Sequence, residues 1–240
     1  MQIIKNTLVS MKSKNNKKID LTNHKDISIF SYGRKNSQRC PNKLLRKFDN
    51  TTVVDILLKK LGQYDQSYFG GYDKEFKEKC EKHNVKFLQR TKRSVNIDYP
   101  ISECIGFIKE IDSKYLLLVN SCLPFLELET IDKFIKSVIK AKFKSASLIL
   151  KRDNYFFDSN KKPLNFSTKI KTLNTKSVKP IYEFANALYF FEKDYFLKNN
   201  KYWDWNKMNY VASENKIEFL DIDTEDDFII TESLWKNIKK

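Results

Sequence analysis

An unbroken apolar run at residues 115–119 constrains the fold more than any other feature of this sequence. Its side chains, Tyr-Leu-Leu-Leu-Val, leave no polar face for solvent, which is typical of a strand in a parallel sheet covered on both sides. At residues 128–140 apolar side chains then recur along one helical face, which indicates an amphipathic helix. A strand of this kind followed by such a helix predicts an α/β fold.

The same alternation runs along most of the chain. The patterns predict strands at residues 27–31, 85–88, 115–119, 146–150, 186–191 and 217–220. They predict helices that begin after Thr51 or Thr52 and after Thr224, and further helices at 73–83, 100–111 and 128–140. Strands that alternate with helices predict a three-layer α/β/α domain with a mixed, mostly parallel sheet.

Two segments depart from this alternation. Residues 1–25 are polar and rich in lysine, and we expect a flexible N-terminal extension before a single domain at 26–240. Residues 151–180 are short polar and aromatic pieces, which predict an excursion from the core. The aromatic cluster at 202–205, with Tyr210, is typical of core or dimer contacts.

The chain carries 45 Lys and Arg against 30 Asp and Glu, a net charge of +15. A nucleic-acid-binding module is one reading of this charge, because lysines release counterions from phosphates. The lysines are spread over the whole chain rather than gathered on one element, which disfavours that reading. No apolar run approaches the roughly 20 residues of a membrane helix, and no secretory signal is recognisable, so we expect a cytoplasmic protein without a membrane segment.

Residues 33–43, which we call the basic loop, follow the first predicted strand and precede a helix. The loop contains two arginines, two lysines and a serine. Ligands of open α/β sheets bind at the carboxyl ends of strands, so such a loop could hold a triphosphate. It matches neither the Walker loop nor the dinucleotide fingerprint. On the charge of these residues alone, a solvated basic loop is the favoured interpretation.

Asp221 and Asp223 form a second candidate site near the C-terminus. On an extended backbone, residues two apart face the same side, so both carboxylates point together. Hard oxygen ligands of this kind suit Mg²⁺. The alternative is that the acidic residues here only cap the last helix, which fits Asp226 and Asp227 well.

Five segments in the same order resemble the acylneuraminate cytidylyltransferase family, which includes the CMP-sialic acid and CMP-Kdo synthetases. The first reads Arg34-x-Asn36-Ser37-x-Arg39-x-Pro41-x-Lys43, and the last reads Asp221-Ile222-Asp223-Thr224-Glu225-Asp226-Asp227. Between them lie residues 90–102, the Leu-Leu-Val-Asn-Ser-Cys-Leu-Pro stretch at 117–124, and 181–189.

The resemblance implies a Rossmann-like nucleotidyltransferase domain. Its chemistry would be attack by the hydroxyl of an acidic sugar, sialic acid- or Kdo-like, or of a related hydroxy acid, on the α-phosphate of CTP. Pyrophosphate would leave, Mg²⁺ would be required, and the CMP product would feed surface polysaccharide synthesis. The resemblance also implies a homodimer in which residues 151–180 reach the partner subunit.

The resemblance also assigns roles to individual residues. Arg34 and Lys43 would contact the phosphates as catalytic groups, and Asp221 and Asp223 would bind the metal. Residues assigned to the nucleotide are Gly33, Asn36, Ser37, Arg39, Arg90 and Asn120, and those assigned to the acceptor are Asn186 and Tyr189.

Some positions depart from the family pattern. Gln38 replaces the usual loop lysine, Leu44 replaces an asparagine, and Leu126 replaces an arginine. The family's Gly before Ala-Ile-Tyr is displaced, and Ala185-Asn186 occupies that turn. These departures leave open a degenerate member of the family that binds nucleotide or a partner without turnover.

Overall fold

The computed structural model describes residues 26–142 and 145–238. The predicted extension at 1–25 lies outside the described residues. Within the described ranges, no helix is long and apolar enough to cross a membrane.

The described residues form one seven-stranded sheet and a small two-stranded one. The strands are β1 (Ile27–Tyr32), β2 (Lys47–Phe48), β3 (Thr51–Thr52), β4 (Ser67–Gly71), β5 (Lys86–Gln89), β6 (Tyr115–Val119), β7 (Ala146–Arg152), β8 (Ile181–Glu192) and β9 (Asn209–Ser213). The large sheet has the order β5-β4-β1-β6-β8-β7-β9. Strand β8 is antiparallel to β6 and β7, and the other neighbours pair in parallel. The predicted mixed, mostly parallel sheet is confirmed.

Helices cover both faces of this sheet. They are α1 (Val53–Leu61), α2 (Lys74–Lys82), α3 (Ile101–Cys104), α4 (Leu128–Lys140), α5 (Lys193–Asn199) and α6 (Glu225–Ile238). As the sequence predicts, Thr52 caps α1, where its hydroxyl accepts from the amide of Asp55. Thr224 and Asp227 form a reciprocal capping box at the start of α6.

Neighbouring residues of β1 point into two different cores, which is why the domain has three layers. Ile29 lies in the core that contains Phe134 of α4. Phe30 faces the opposite core, where Phe196 of α5 is buried. Side chains alternate across a strand, so an all-apolar strand needs cover on both faces.

Other predictions from the pattern are wrong. Strand β4 is absent from the sequence prediction because its glycines lower β propensity. Gly70 nonetheless lies in the sheet, because the Phe107 ring packs so closely over it that a Cβ there would stand only 2.3 Å from the ring. The helix predicted over 100–111 is divided into α3 and a 3₁₀ turn at Gly106–Glu110, because glycine is a weak helix former.

The strand predicted at 217–220 is also wrong. Lys216–Phe219 is a 3₁₀ turn, and the buried Glu218 in it accepts hydrogen bonds from the amide of Glu127 and from Asn215. Helix α5 and strand β9 were not predicted at all. Residues between β7 and β8 are largely irregular, as expected. Within this segment the side-chain oxygen of Asn165 accepts a hydrogen bond from the backbone amide of Phe156.

Candidate active site

A cleft of about 480 Å³ opens at the carboxyl ends of β1 and β6. Strand β1 lies between β4 and β6, so the chain leaves it toward one side of the sheet and later returns on the other. Such a switch point leaves a crevice outside the carboxyl ends of the strands, where ligands of open α/β sheets bind.

Most of the predicted site residues meet in this cleft. Its lining includes Gly33, Arg34, Ser37, Arg39, Lys43, Arg90, Asn120, Asn186, Tyr189 and Asp223. Asn36 lies outside the lining with an exposed side chain, and its nucleotide-binding role stays a prediction. Asp221 lies behind the lining, where it contacts Asn120.

The basic loop begins at a glycine because nothing larger fits there. The amide of Gly33 donates to the carbonyl of Gly70, and a Cβ on Gly33 would stand 2.5 Å from Leu44 Cδ1. Leu44 itself is buried in the core. Its departure from the family pattern is therefore explained by packing.

Arg34 is held at one wall of the cleft by the segment after β5. Its Nη2 lies 2.5 Å from Asp98 Oδ1, and its Nη1 lies 3.4 Å from the Ile97 carbonyl oxygen. The guanidinium is mostly buried, so this contact fixes its position next to the open cleft.

Lys43 and Arg39 both reach Asp223. Lys43 Nζ donates to the Ile222 carbonyl and lies 3.4 Å from Asp223 Oδ1, while Arg39 Nη2 lies 2.9 Å from the same oxygen. Burial lowers the pKa of Lys43, but its surroundings, which include the Cys122 thiol and Asp223, outweigh burial and raise that pKa overall. Lys43 therefore stays a cation.

The two carboxylate oxygens of Asp221 differ in their hydrogen bonding. Its Oδ2 accepts from Asn120 Nδ2 at 3.0 Å, whereas Oδ1 is buried without a hydrogen-bond partner among the described residues. Burial, and then the charge of Asp223, raise its pKa to about 6. The two acids follow a 3₁₀ turn rather than the predicted strand, yet they interact as the sequence pattern implies.

These two carboxylates fit a hard divalent cation. An unpartnered buried oxygen beside a second carboxylate is an unfavourable arrangement that a cation such as Mg²⁺ neutralises. Within the described ranges, no three His, Cys, Asp or Glu side chains cluster as a complete metal site. Mg²⁺ commonly takes one or two carboxylates and completes its shell with waters and substrate phosphates, so two protein ligands suffice.

Arg90 lines the cleft as predicted for a nucleotide-binding residue, but most of its hydrogen bonds go to the backbone. The residue is 4% exposed, and its Nη1 donates to the Gly33 carbonyl at 3.0 Å. Its Nη2 donates to the Ser94 carbonyl, and the guanidinium lies 5.2 Å from the centre of the Tyr32 ring. Arg90 thus fixes the start of the basic loop against residues 90–94.

Asn120 and Asn186 line the cleft next to Asp221. Asn120 Nδ2 donates to the Asn186 carbonyl at 2.7 Å, and its Oδ1 accepts from the Cys122 amide at 2.9 Å. Asn186 has φ 46°, a left-handed conformation that asparagine tolerates better than other non-glycine residues. This explains how it occupies the turn in which the family has glycine. Its Oδ1 accepts a hydrogen bond from the Tyr189 hydroxyl.

Three further residues, Asp98, Tyr32 and Tyr202, also line the cleft, although no site role was predicted for them. Tyr32 is the last residue of β1, and that position is the signal that would have placed it here. Tyr202 belongs to the aromatic cluster interpreted as core or dimer contacts. It does pack in the core, but its position in the cleft lining was missed.

Comparison with solved structures finds the same fold. A CMP-2-keto-3-deoxy-manno-octonic acid synthetase complexed with CTP has a TM-score of 0.62 at 10% identity, over 88% of this chain and 99% of that one. A 4-diphosphocytidyl-2C-methyl-D-erythritol synthase from Anaerococcus prevotii gives 0.62 at 16%, over 91% and 99%. A cytidylyltransferase from Leptospira borgpetersenii gives 0.57 at 12%, over 89% and 88%.

Sequence comparison assigns the family. No curated protein matches the chain by sequence. The family profile described as "Cytidylyltransferase" matches residues 33–234, which contain the basic loop, the two aspartates and nearly all of the sheet. This chain therefore belongs to the cytidylyltransferase family of CTP-dependent nucleotidyltransferases.

Proposed function

We propose that the protein transfers CMP from CTP to the hydroxyl of an acidic sugar, of the sialic acid or Kdo type, or of a related hydroxy acid. The observation that carries the proposal is the unpartnered Asp221 Oδ1 beside Asp223, at the same cleft as the cations of the basic loop. The likeness to a CMP-Kdo synthetase crystallised with CTP supports both the nucleotide and the class of acceptor.

The basic loop would hold the triphosphate. Arg34 and Lys43 are anchored cations at the cleft, and Arg39 is a more exposed third one. Ser37 and the backbone amides of the loop add neutral donors. Fixed donors and cations next to the developing charge stabilise the transition state more than they stabilise the ground state.

The reaction forms a bond between the acceptor oxygen and the α-phosphorus, and it breaks the bond to the oxygen that joins the α- and β-phosphates. Pyrophosphate leaves, and the proton of the acceptor hydroxyl is released to solvent. Asp221 and Asp223 would hold Mg²⁺, which when bound supplies positive charge against the α-phosphate. Lys43, which contacts Asp223, would offset charge on the departing pyrophosphate. Asn120 holds Asp221 in place through its Nδ2.

The acceptor would bind beside Asn186 and Tyr189, which both line the cleft. The two side chains are joined by a hydrogen bond, so they form one positioned surface. Leu126, where the family usually has an arginine, is buried in the core and offers no cation to the acceptor.

The test is release of pyrophosphate from CTP and Mg²⁺ across a panel of acids, including N-acetylneuraminate, Kdo, a legionaminic-type acid and simple 2-hydroxy acids. Lys43→Ala should lower kcat by about 100-fold or more, because an aimed cation stabilises the transition state by several kcal/mol. The matched control is Lys47→Ala, an exposed lysine outside the cleft.

Two outcomes would contradict the proposal. Tight CTP binding without turnover of any acid would support the degenerate alternative. An unchanged rate in Lys43→Ala would remove the basic loop from the chemistry.

We also propose a homodimer through residues 151–180. Phe157, Leu164 and Leu173 in this segment are exposed apolar side chains, and such surface is more often covered by a partner. Sedimentation of the wild type and of a Leu164→Glu, Leu173→Glu variant measures this directly. A monomeric wild type contradicts the dimer.

A further inference from the structure

Asp223 shares one carboxylate oxygen between two cations of the basic loop. Arg39 Nη2 lies 2.9 Å from Asp223 Oδ1, and Lys43 Nζ lies 3.4 Å from the same atom. Asp221 differs: in the part of the chain that the structure describes, its hydrogen bonds come from the neutral amide groups of Asn120 and Asn186. Of the two proposed metal ligands, therefore, only Asp223 is in direct contact with cations.

The two cations are not equally free to leave Asp223. The side chain of Lys43 is 12% exposed, and its Nζ also donates to the Ile222 carbonyl, so it is anchored at two points. The side chain of Arg39 is 67% exposed, and within the described ranges Asp223 is its one ionic partner. An exposed ion pair adds little to stability, so Arg39 can exchange this partner for another at small cost.

A triphosphate is a stronger partner for Arg39 than a single carboxylate. Arg39 lines the same cleft as Ser37 and Lys43, where the triphosphate would bind. A guanidinium forms two parallel, charge-assisted hydrogen bonds to phosphate oxygens, and a triphosphate carries more negative charge than one aspartate. Binding of the nucleotide therefore favours movement of Arg39 away from Asp223.

Electrostatics links this movement to the metal. A divalent cation bound by Asp221 and Asp223 without nucleotide would lie beside Arg39 and Lys43, which contact the same carboxylate. Like charges at such short distances repel each other. A triphosphate offsets this repulsion, since it attracts the two side chains and supplies phosphate oxygens to Mg²⁺, which commonly binds through one or two carboxylates together with substrate phosphates.

We infer that Arg39 switches between two partners: it pairs with Asp223 before the nucleotide binds and pairs with the triphosphate afterwards. Metal and nucleotide then bind together, because the arginine that weakens metal binding is removed by the nucleotide itself. The inference rests on the proposed use of CTP and Mg²⁺ at this cleft.

The first experiment titrates Mn²⁺ into the enzyme without nucleotide and follows the free ion by electron paramagnetic resonance. Arg39→Gln should bind Mn²⁺ about 3–10-fold more tightly than the wild type, because one positive charge close to a divalent ion is removed. Arg39→Lys keeps the charge and should stay near the wild type. The matched control is Lys35→Gln, which removes a charge from the same loop. Lys35 pairs with Glu75 at 2.7 Å and lies outside the cleft lining.

The second experiment measures CTP binding by calorimetry in excess chelator and without any acceptor, so that no transfer occurs. Arg39→Gln should weaken CTP binding by about 10-fold, the effect of losing a charge-assisted hydrogen bond. Lys35→Gln should bind CTP like the wild type. One substitution would thus tighten metal binding and weaken nucleotide binding, which a general loss of structure would not do.

Several results would overturn the switch. They are unchanged, weaker or undetectable Mn²⁺ binding in Arg39→Gln, an equal gain in Lys35→Gln or Arg39→Lys, and unchanged CTP affinity in Arg39→Gln. The gain in Mn²⁺ affinity should also disappear when Asp223→Asn is combined with Arg39→Gln, and its persistence would show that the ion binds elsewhere. Neither titration involves transfer of CMP, so failure of every acceptor acid in the pyrophosphate assay would contradict the proposed function and not the switch.

Discussion

Asp221 and Asp223 are both carboxylates at the cleft, but their environments differ. Asp221 is buried with an unpartnered oxygen, whereas Asp223 is more exposed and held by Arg39 and Lys43. Asp226, three residues further on, is exposed in the first turn of α6. The spacing of these residues was visible in the sequence, but their burial was not.

We expect Asp223→Asn to reduce kcat by about 100-fold or more and to leave the fold intact, because it removes a charge without changing shape. Asp226→Asn is the matched control and should retain nearly full activity, since Asp226 lies outside the cleft lining and outside the proposed metal site. The effects of Asp221→Asn and Asp223→Asn should not add if both residues serve one ion, as we propose. Steady-state rates across a Mg²⁺ titration measure this, and a fully active Asp223→Asn enzyme would exclude the metal role.

Gly33 was predicted as a nucleotide-binding residue, and the structure gives it a packing role as well. An alanine Cβ there would meet Leu44 Cδ1 at 2.5 Å and Phe69 Cζ at 3.0 Å. We expect Gly33→Ala to lower the free energy of unfolding by about 1–3 kcal/mol through overpacking. Gly106→Ala is the control, since nothing lies within 4 Å of its Cβ position. Equal urea midpoints for the two variants would show that the space around Gly33 adjusts freely.

At the scale of elements, α1 and α2 are joined by a single buried carboxylate. Asp55 of α1 accepts from Lys79 Nζ and lies 2.9 Å from His83 Nε2, while Thr52 Oγ1 donates to it at 2.6 Å. Burial alone would raise the pKa of Asp55, but the hydrogen bonds from Lys79, Thr52 and His83 outweigh it and lower that pKa to about 2.

This depressed pKa gives a pH dependence with a definite sign. Folding favours the charged form of Asp55, so its stabilisation is complete above the unfolded pKa near 4 and is lost as pH falls toward 2. Asp55→Asn should lower the free energy of unfolding by about 2 kcal/mol at pH 7, and the difference from the wild type should shrink between about pH 5 and pH 3.

The control for this prediction is Glu78→Gln, which removes an exposed ion pair with Lys74 on the same helix. An exposed ion pair contributes less than about 1 kcal/mol to stability. The free energy of unfolding of this variant should therefore stay close to that of the wild type at pH 7 and at about pH 3. A difference between Asp55→Asn and wild type that does not change with pH would contradict the assignment of the charge.

How far the sequence predicts these elements depends on how local the cause is. Strand β6 and helix α4 were predicted because their apolar patterns are local features of the sequence. Strand β4 was missed because the reason for Gly70 is the ring of Phe107, which lies distant in the sequence. The turn at Lys216–Phe219 was read as a strand because its apolar pattern fits both, and only the buried contacts of Glu218 decide between them.

Most of the residues that the sequence assigned to the site lie together in the fold. The basic loop and the aspartate pair were found by their similarity in order to a known family, and the fold brings them to one cleft. Tyr32 and Tyr202 were not found, because no motif carries them and their meeting depends on the sheet order. The partners of Arg90 are backbone carbonyls, which a sequence pattern does not reveal.

At the scale of the whole molecule, topology rather than net charge creates the site. The chain has a net charge of +15, but cleft cations are matched locally, Arg34 with Asp98 and Lys43 with Asp223. A cleft of about 480 Å³ suits one nucleotide and a small acceptor rather than a long polyanion. The parallel strands β5, β4, β1 and β6 all end at this edge.

The most direct test of cytidylyl transfer at this cleft is the nucleotide preference of pyrophosphate release. With Mg²⁺ and the best acceptor acid, kcat/KM should be at least about 100-fold higher for CTP than for UTP, ATP or GTP, because a site that hydrogen-bonds one base rejects the others. Equal kcat/KM values for all four nucleotides would contradict the account.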